Sequence, residues 1–379
     1  MIHPEIIELR KELHSHPELS CFEHETAKRI QRFINEHNPT EILDGIGETG
    51  FAAIYKFPKK GKSITIRCEL DALPIQEENQ FLHKSKNKGI SHKCGHDGHM
   101  AIVSGLLFWL KKSSFSSGEV ILLFQPAEEN GKGAKEVVTD ERFKNLNTDY
   151  VFALHNIPKE PFHNIIVIDK GFSAEVQSFI VRLEGKKSHA SEPENGNNPA
   201  LALSSIISLL SSLEVTDPED ENFSLITPVH INMGQIAYGI SPENAELHYT
   251  MRTWSGEKTT HLKSQITSVI ENTCEKYELK HEIEWLEYFP ASTNHTESTN
   301  YIIKAAEKNS YKIIKRPYPF KFGEDFGWFS KEYKTAMFGL GAGIETPALH
   351  NSDYDFPDEI IETGINMFRS IISAILEES

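Results

Sequence analysis

The sequence predicts an α/β main domain, built from both ends of the chain, with a smaller α+β domain inserted in its middle. Up to about residue 170, continuous apolar strands alternate with amphipathic helices, a pattern typical of a sheet that is covered on both faces. The segment 177–286 instead follows the order βαββαβ with alternating strands, which indicates a ferredoxin-like domain. The length of 379 residues also exceeds what one ordinary hydrophobic core accommodates.

Each element of the main domain is predicted from the spacing of its apolar residues. Apolar residues three and four positions apart predict helices over residues 5–15, 22–36, 98–110 and 131–138. Short apolar and β-branched runs predict strands over residues 51–57, 63–70, 119–124 and 149–154. After about residue 289 strands and helices return, and the chain ends in a predicted helix over residues 358–376.

The inserted domain begins where the strand pattern changes, near Gly171. Alternating apolar and polar residues predict strands over 177–183, 228–238, 243–254 and 281–286, and helical spacing predicts helices over 198–213 and 257–277. We therefore expect a discontinuous main domain formed by residues 1–173 and 289–379, and an inserted domain formed by residues 174–288.

Net charge, apolar run lengths and cysteine spacing indicate which partners and which cellular location to expect for the protein. The formal net charge of -16 argues against nucleic acid as a main partner, since phosphate binding needs a basic surface. The longest apolar runs are too short to span a membrane, and no basic segment followed by an apolar one indicates a secretory signal. The four cysteines (Cys21, Cys68, Cys94, Cys274) show no paired spacing, so we expect a reduced, cytoplasmic protein in which a special cysteine is a ligand or a nucleophile.

The segment Cys94-Gly95-His96 carries the strongest chemical signal. A thiolate and an imidazole two residues apart project to the same side of an extended segment, which makes half of a metal site. Glu128-Glu129 and His155 lie at the ends of two predicted strands, and His350 follows a Gly-rich segment. Ligands in α/β sheets collect at the carboxyl ends of strands. We therefore expect two divalent ions, bridged by the thiolate and bound by Cys94, His96, Glu129, His155 and His350.

The two adjacent glutamates suggest a division of roles. Neighbouring carboxylates are hard to ionise together unless a cation neutralises one, so metal binding by Glu129 leaves Glu128 free to move protons for an activated water. Asp71, after a predicted strand, is expected to orient a metal-bound histidine. His99 and Asp97 could do the same, although capping the following helix is the simpler role for Asp97.

Other interpretations of these residues stay open. Glu128-Glu129 could form a solvated acidic loop. The cluster could bind a structural zinc ion, although the paired CxxC spacing of such sites is absent. Cys94 could also be a nucleophile activated by His96, in which case activity would survive chelation.

An ordered series of short motifs runs over nearly the whole chain. It consists of Leu13–Leu19 (LHSHPEL), Glu69–Pro74 (ELDALP), Cys94–His99 (CGHDGH), Gln125–Glu129 (QPAEE), Ala153–Asn156 (ALHN), Gly185–Ala190 (GKKSHA), Gly323–Phe326 (GEDF) and Leu349–Asn351 (LHN). In these motifs the chain resembles the M20 metallopeptidase family, and specifically its amidohydrolase branch of N-acyl-amino-acid, hippurate and auxin-conjugate hydrolases.

The resemblance implies a di-metal hydrolase with an aminopeptidase-like catalytic domain. It implies that Cys94 bridges the ions, and that the other ligands are His96, Glu129, His155 and His350. It further implies that Glu128 is the general base and acid and that Asp71 is the supporting carboxylate. The identity of the ions stays open among zinc, manganese, cobalt and nickel, because selectivity depends on geometry and supply.

For the inserted domain, the resemblance implies a lid that also mediates homodimerisation. It implies that His189 reaches from this lid into an active site, often that of the partner subunit, and helps to hold the oxyanion. Judged from its sequence context alone, His189 lies in a polar loop and could belong to a solvated turn.

The resemblance also gives an expectation about the substrate. Asn244 and Arg252 lie in the lid segment where such enzymes bind a substrate carboxylate, and a guanidinium suits a bidentate grip, although an exposed strand edge would explain both residues equally well. The family's Gly-Thr-x-Arg segment reads Tyr249-Thr250-Met251-Arg252 here, and we expect Tyr249 to fill space near that carboxylate. The expected activity is hydrolysis of small N-acyl amino acids. A dipeptidase or aminoacylase of the same family, or an inactive metal-stabilised binding protein, are the alternatives.

Overall fold

The computed structural model describes residues 3–378 and divides the chain into two compact units. The larger unit contains the chain up to Phe172, Ser292–Pro317 and the residues from Glu324 onward, and the smaller unit contains Ser173–Ala291 and Tyr318–Gly323. The predicted fold class, an α/β sheet structure with a separate antiparallel α+β part, is confirmed. The predicted domain limits and the roles of the two domains stay predictions.

Sixteen strands and eleven α-helices lie within the described residues. The strands are β1 (Glu41–Ile46), β2 (Gly50–Lys56), β3 (Lys59–Glu69), β4 (Ser117–Gln125), β5 (Tyr150–Ile157), β6 (Ile165–Val167), β7 (Gly171–Ser173), β8 (Glu175–Glu184), β9 (Ser188–His189), β10 (Ser224–Met233), β11 (Ile240–Ser241), β12 (Asn244–Thr253), β13 (Lys280–Phe289), β14 (Ser292–Thr293), β15 (Ile313–Lys315) and β16 (Lys334–Gly341). The helices are α1 (Pro4–Ser15), α2 (His24–Asn35), α3 (His96–Gly105), α4 (Leu107–Leu110), α5 (Gly133–Thr139), α6 (Glu141–Lys144), α7 (Ala200–Ser211), α8 (Gly256–Lys276), α9 (Thr296–Lys308), α10 (Gly327–Ser330) and α11 (Ile361–Glu377).

The larger unit is built on one eight-stranded sheet with the order β1-β2-β4-β3-β5-β16-β6-β15. Its four inner strands β4, β3, β5 and β16 are parallel to one another. Strand β2 pairs antiparallel with β1 and β4, and β6 pairs antiparallel with β16. Apart from the exposed first four residues of β3, the parallel strands are almost continuously buried, as strands covered on both faces should be. Their carboxyl ends therefore lie along one edge of the sheet, and the loops that follow them share that edge.

One large apolar cluster joins this sheet to helices α1, α2, α3, α9 and α11. Within it Phe51 of β2 stacks on Phe124 of β4, with ring centroids 4.6 Å apart. The single helix predicted over 98–110 is in fact two helices, α3 and α4, which are separated at Leu106. Within residues 3–378, no helix combines the length and the apolar character that crossing a membrane requires.

The smaller unit has a four-stranded antiparallel sheet with the order β10-β12-β8-β13, and helices α7 and α8 pack against it. Numbered within this unit, the strand order is 2-3-1-4, which is the ferredoxin-like arrangement that the βαββαβ pattern predicts. The strand predicted over 228–238 lies earlier in the chain than expected, at Ser224–Met233.

The expectation for Tyr249 is wrong. Residues of β12 alternate between the two faces of the sheet, so Tyr249 shares the inner face with Leu247 and Met251. Its side chain is 2% exposed and stacks on Phe179 with ring centroids 5.1 Å apart, inside the core of the smaller unit. Tyr249 therefore fills space in this core and not beside a bound carboxylate.

The buried hydroxyl of Tyr249 provides a test of this placement, because it has no hydrogen-bond partner among the described residues. Tyr249→Phe keeps the ring packing and removes an unsatisfied polar group, so the free energy of unfolding should stay within about 1 kcal/mol of the wild-type value or rise. Tyr249→Ala leaves a cavity and should lower it by about 3–5 kcal/mol. Denaturant unfolding measures both, and a large loss in Tyr249→Phe would contradict this packing.

Candidate metal centre

The five predicted metal ligands all belong to the larger unit and lie near the ends of its parallel strands. Cys94 and His96 flank the start of α3, Glu129 follows β4, and His155 lies near the end of β5. His350 lies in the segment after β16. Four separate stretches of chain thus supply these side chains at one edge of the sheet.

Two overlapping groups of donor atoms lie close enough to share an ion each. Cys94, His96 and His155 form one group, and Cys94, Glu129 and His350 form the other, with the donor atoms of each group within 4.8 Å of one another. Cys94 Sγ lies 3.5 Å from His155 Nε2, and His350 Nε2 lies 3.9 Å from a Glu129 carboxylate oxygen. Because Cys94 belongs to both groups, a shared thiolate between two ions fits this arrangement.

Hydrogen bonds orient two of the histidines that are predicted as metal ligands. His155 Nδ1 donates to its neighbour's carbonyl, Asn156 O, at 2.9 Å, and His96 Nδ1 donates to Asp71 O at 2.9 Å. In each ring Nε2 is therefore the nitrogen directed toward the cluster, the arrangement that metal-binding histidines use. Oε1 of Glu129 is buried and has no hydrogen-bond partner among residues 3–378, which also fits a cation at this place.

Burial and neighbouring charges shift the pKa values of these groups. Burial lowers the pKa of His155 to about 3 and raises that of Glu129 to about 7, although the charge of His96 partly offsets the second shift. Burial, and then the carboxylates of Glu129 and Glu128, raise the pKa of the Cys94 thiol well above its usual value. Binding a cation would therefore have to displace protons from Cys94 and Glu129.

His96 differs from His155 because it faces several carboxylates. Burial alone would lower the pKa of His96, but the adjacent Asp71 carboxylate and the charges of Glu69 and Glu129 outweigh burial and raise this pKa to about 10. Asp71 Oδ1 lies 3.3 Å from His96 Nδ1. The other Asp71 oxygen accepts hydrogen bonds from Glu129 N at 2.9 Å and from Ser20 Oγ at 2.7 Å.

Glu128 is buried beside the two groups of donor atoms. Its Oε1 accepts a hydrogen bond from Asp325 N at 3.3 Å, and its Oε2 lies 3.8 Å from His96 Nε2. Burial, and then the charges of Glu324 and Glu129, raise the pKa of Glu128 well above its usual value. With 5% of its surface exposed, Glu128 does not belong to a solvated acidic loop.

Two glycines allow these loops to approach the cluster. Gly95 has φ +96°, and a Cβ on it would lie 2.8 Å from the side-chain amide of Asn156. A Cβ on Gly133 would lie 1.6 Å from Pro126 O, so only glycine fits where the loop that carries Glu128 turns back on itself.

His99 and Asp97 have hydrogen-bond partners other than the histidines that are predicted as metal ligands. His99 is hydrogen bonded through Nδ1 to Glu69 and through Nε2 to Asn156, both at 2.6 Å. Asp97 does not cap α3, whose N-cap residue is Gly95 with no side-chain cap. It is buried and pairs with His14 Nδ1 at 2.8 Å and with Arg10 Nη1 at 3.3 Å. The cap expected for Asp97 is thus corrected, because its charge is used in an ion network with α1.

Lys93, which directly precedes Cys94, anchors this segment through an ion pair and hydrogen bonds. Its fully buried ammonium group donates to Glu77 Oε1 at 2.5 Å and to Tyr354 O at 2.7 Å. Its carbonyl accepts a hydrogen bond from His350 N at 2.8 Å. A single residue therefore connects the segment that carries Cys94 with the segment that carries His350.

Beneath Glu128, a buried ion network surrounds Arg67 of β3. This guanidinium pairs with Glu69 and donates to Glu324 at 3.0 Å and to Asp325 at 2.7 Å. Asp325 also accepts hydrogen bonds from Gln125 Nε2, at 2.9 Å. Sequence reasoning assigned no role to Arg67, although a charged residue within the buried part of a strand is a signal for such a network.

The three remaining predicted residues belong to the smaller unit. His189 is exposed on β9, where its Nδ1 accepts a hydrogen bond from Ser191 N at 3.1 Å. Asn244 is exposed at the start of β12, and Arg252 Nη1 donates to Lys321 O at 2.6 Å. Because β12 pairs with a strand on each side, neither Asn244 nor Arg252 lies on an edge strand.

Comparisons with known proteins show which family the chain resembles over most of its length. The model of Peptidase family M20/M25/M40 matches residues 65–374. An N-acetyl-L-cysteine deacetylase of Bacillus subtilis is 33% identical, over 86% of this chain and 77% of the relative, and a hippurate hydrolase of Campylobacter jejuni is 28% identical over 97% of each. A crystal structure of a dinuclear metal-binding peptidase of the M20 family from Bacillus subtilis superposes with a TM-score of 0.84, at 29% identity and 98% coverage of both chains.

Proposed function

Because the chain belongs to peptidase family M20/M25/M40, a family of di-metal hydrolases, we propose that it is an amidohydrolase that cleaves small N-acyl amino acids. The products would be a carboxylate and a free amino acid. The observation that carries this proposal is the convergence of a thiol, three imidazoles and a carboxylate with Glu128 at the carboxyl ends of parallel strands. Two relatives, the deacetylase and the hippurate hydrolase, support the substrate class, since both names denote hydrolysis of N-acyl amino acids.

The ions would be held by side chains of one cluster, with Cys94 as the shared ligand. We propose His96 and His155 for one ion and Glu129 and His350 for the other. When bound, such ions polarise the amide carbonyl and lower the pKa of water. Sulfur, nitrogen and oxygen donors together suit zinc, manganese, cobalt or nickel.

Glu128 is proposed to move the proton that the reaction requires. Its carboxylate would take a proton from the attacking water and deliver it to the leaving nitrogen, so that the amine departs neutral. The hydrogen bond from Asp325 N to Oε1 holds one oxygen and leaves Oε2 directed toward His96. Asp71 would support this step indirectly, because it orients His96 and fixes the backbone of Glu129.

His189 is proposed to stabilise the oxyanion of the tetrahedral intermediate. Ser191 N–H can only donate, so His189 Nδ1 is an acceptor, and a neutral ring then carries its proton on Nε2. An Nε2–H group exposed on β9 is able to donate to an oxyanion. Asn244 and Arg252 lie eight residues apart on β12, roughly 26 Å at 3.3 Å per residue, so one chain cannot bring both to the same carboxylate. We propose that each binds the substrate carboxylate from a different subunit of a dimer, and that Arg252 uses the guanidinium N–H groups that Lys321 O does not engage.

We also propose a homodimer formed through the smaller unit. Strand β10 lies at one edge of its sheet and exposes Val229, Ile231 and Met233, and helix α7 exposes Leu201 and Leu209. A long apolar edge strand of this kind favours pairing with a second copy. A cytoplasmic location fits the proposed chemistry, because a reducing compartment keeps the Cys94 thiol free for metal binding.

The substrate class can be tested with metal-reconstituted protein and a panel of amides. We expect hydrolysis of N-acetyl, N-benzoyl or indole-acyl amino acids at higher kcat/KM than of dipeptides with a free amine. Chelation should abolish turnover, and added manganese or zinc should restore it. Preference for dipeptides would favour a dipeptidase, and turnover that survives chelation would favour a cysteine nucleophile at Cys94 instead.

The roles of Glu128 and Cys94 can be separated by comparing activity with metal content. Glu128→Gln removes the proton acceptor and should lower kcat by about 10²–10⁴-fold without loss of metal. Cys94→Ala removes the shared ligand and should release at least one ion per chain. Elemental analysis and steady-state kinetics on the same preparations give both readouts. Near-normal turnover in Glu128→Gln, or unchanged stoichiometry in Cys94→Ala, would contradict the respective role.

A mixing experiment tests the dimer and the action of His189 together. If His189 acts on the partner subunit, a mixed dimer of His189→Ala and Glu128→Gln chains regains one complete site. Co-expression at equal amounts should then recover about a quarter of the wild-type activity, although each variant alone is inactive. Light scattering checks the dimer mass. A monomer, or an inactive mixed dimer, would exclude action across subunits.

A further inference from the structure

Glu23 occupies the N-cap position of α2 but does not cap this helix. It is fully buried, and its side chain makes no cap hydrogen bond. The amide that such a cap would take, Thr26 N, donates instead to Glu18 Oε2 at 2.7 Å, and Thr26 Oγ1 donates to the same oxygen at 2.9 Å. Glu18 thus accepts the hydrogen bond from the free N–H group in the first turn of α2, and the carboxylate of Glu23 forms its hydrogen bonds elsewhere.

The carboxylate of Glu23 connects the loop before α2 with the loop that carries Glu128. Its Oε1 accepts hydrogen bonds from Ala127 N at 2.8 Å and from Cys21 N at 2.9 Å. Its Oε2 accepts one from Thr49 Oγ1 at 2.7 Å. Burying a carboxylate is costly unless its oxygens are satisfied, and here both oxygens are.

Ala127 is the residue whose backbone conformation directs Glu128. It has φ +51°, a left-handed conformation that costs a residue with a Cβ about 1–2 kcal/mol and persists where the surroundings enforce it. The enforcing contacts lie on both sides of Ala127. Its N–H donates to Glu23, and its carbonyl accepts from Gly133 N at 3.0 Å. Because Ala127 immediately precedes Glu128, its backbone angles set the direction in which the Glu128 side chain leaves the loop.

We propose that Glu23 is a positioning residue for Glu128, acting through the Ala127 amide. The inference rests on the proposed role of Glu128 as the group that transfers the proton. Glu23 itself touches neither substrate nor metal. By fixing Ala127 in the left-handed conformation, it holds Oε2 of Glu128 toward His96, which is the position from which Glu128 would act. A displacement of about 1 Å at such a group lowers turnover by roughly 10²-fold.

Three substitutions at Glu23 and one matched control test this inference. Glu23→Met removes the acceptors, and Glu23→Asp keeps the charge but draws the oxygens back by one methylene. Glu23→Gln should rescue, because its amide oxygen can accept from Ala127 and Cys21 while Thr49 turns its hydroxyl to accept from the amide nitrogen. Glu18→Met is the control, since Glu18 serves α2 from the same loop and accepts no hydrogen bond from the Glu128 loop.

The readout is the split between kcat and KM at constant metal content. We expect Glu23→Met and Glu23→Asp to lower kcat by on the order of 10²-fold, with KM and bound metal unchanged. Glu23→Gln and Glu18→Met should keep the wild-type kcat, although Glu18→Met lowers the thermal stability. Should Glu23→Met fail to fold, Glu23→Asp decides the kinetic test. A wild-type kcat in Glu23→Asp, or an equal loss of kcat in Glu18→Met, would overturn the inference.

A crystal structure of Glu23→Asp gives a readout that does not depend on activity. Ala127 should leave the left-handed conformation and Glu128 should turn away from His96, and an unchanged loop would overturn the inference. The proposed function itself would fail if the wild-type protein hydrolysed no amide, or if Glu128→Gln kept full activity. In that case the crystal structure still decides whether Glu23 holds the loop.

Discussion

Buried negative charge is the constraint on which the rest of this site depends. Carboxylates from three parts of the larger unit are buried together at the ends of the parallel strands, namely Glu69, Asp71, Glu128, Glu129, Glu324 and Asp325. An isolated carboxylate cannot stay ionised in such surroundings, so each needs a cation, a set of N–H donors or a proton. Arg67 pairs with Glu69, Glu324 and Asp325. His96 faces Asp71, Glu128 and Glu129. Divalent ions at Cys94 and Glu129 would supply the remaining positive charge.

The same constraint explains why ion networks flank the segments that carry the predicted ligands. Asp97 and Lys93 stand on either side of Cys94-Gly95-His96, and each forms buried ion pairs with a different part of the chain. Next to the cluster, the backbone of His350 adopts the left-handed conformation, with φ +66°, although this residue has a Cβ. Its N–H donates a hydrogen bond to Lys93 O. Conformations of this kind persist where many contacts determine them. The segments that carry the predicted ligands are therefore fixed by hydrogen bonds and ion pairs between distant parts of the sequence.

The local patterns of the sequence were sufficient for the fold class and for the residues that gather at the site. Strand and helix periodicity follows from which face is buried, and motifs such as Cys94-Gly95-His96 keep their chemistry within a few residues. Local patterns do not predict the ion-pair partners of Arg67 and Asp97. Arg67 and Asp325 are 258 positions apart, and nothing local in either segment identifies the other. For Tyr249 the signal is present in the sequence, because period-two alternation places it with Leu247 and Met251. The expectation that Tyr249 lies near a carboxylate follows from the family resemblance and not from this alternation.

The short segment Tyr318–Gly323 has a consequence for how this architecture could be inherited or exchanged. The chain passes between the two units after Phe172, Ala291, Pro317 and Gly323, so the smaller unit is not one contiguous cassette. Its hexapeptide supplies the carbonyl that Arg252 binds, and it supplies Phe320 O, which accepts from Ala174 N. Recombination that transplanted only Ser173–Ala291 would leave both donors unmatched. Modular shuffling of this unit between relatives therefore requires two coordinated exchanges.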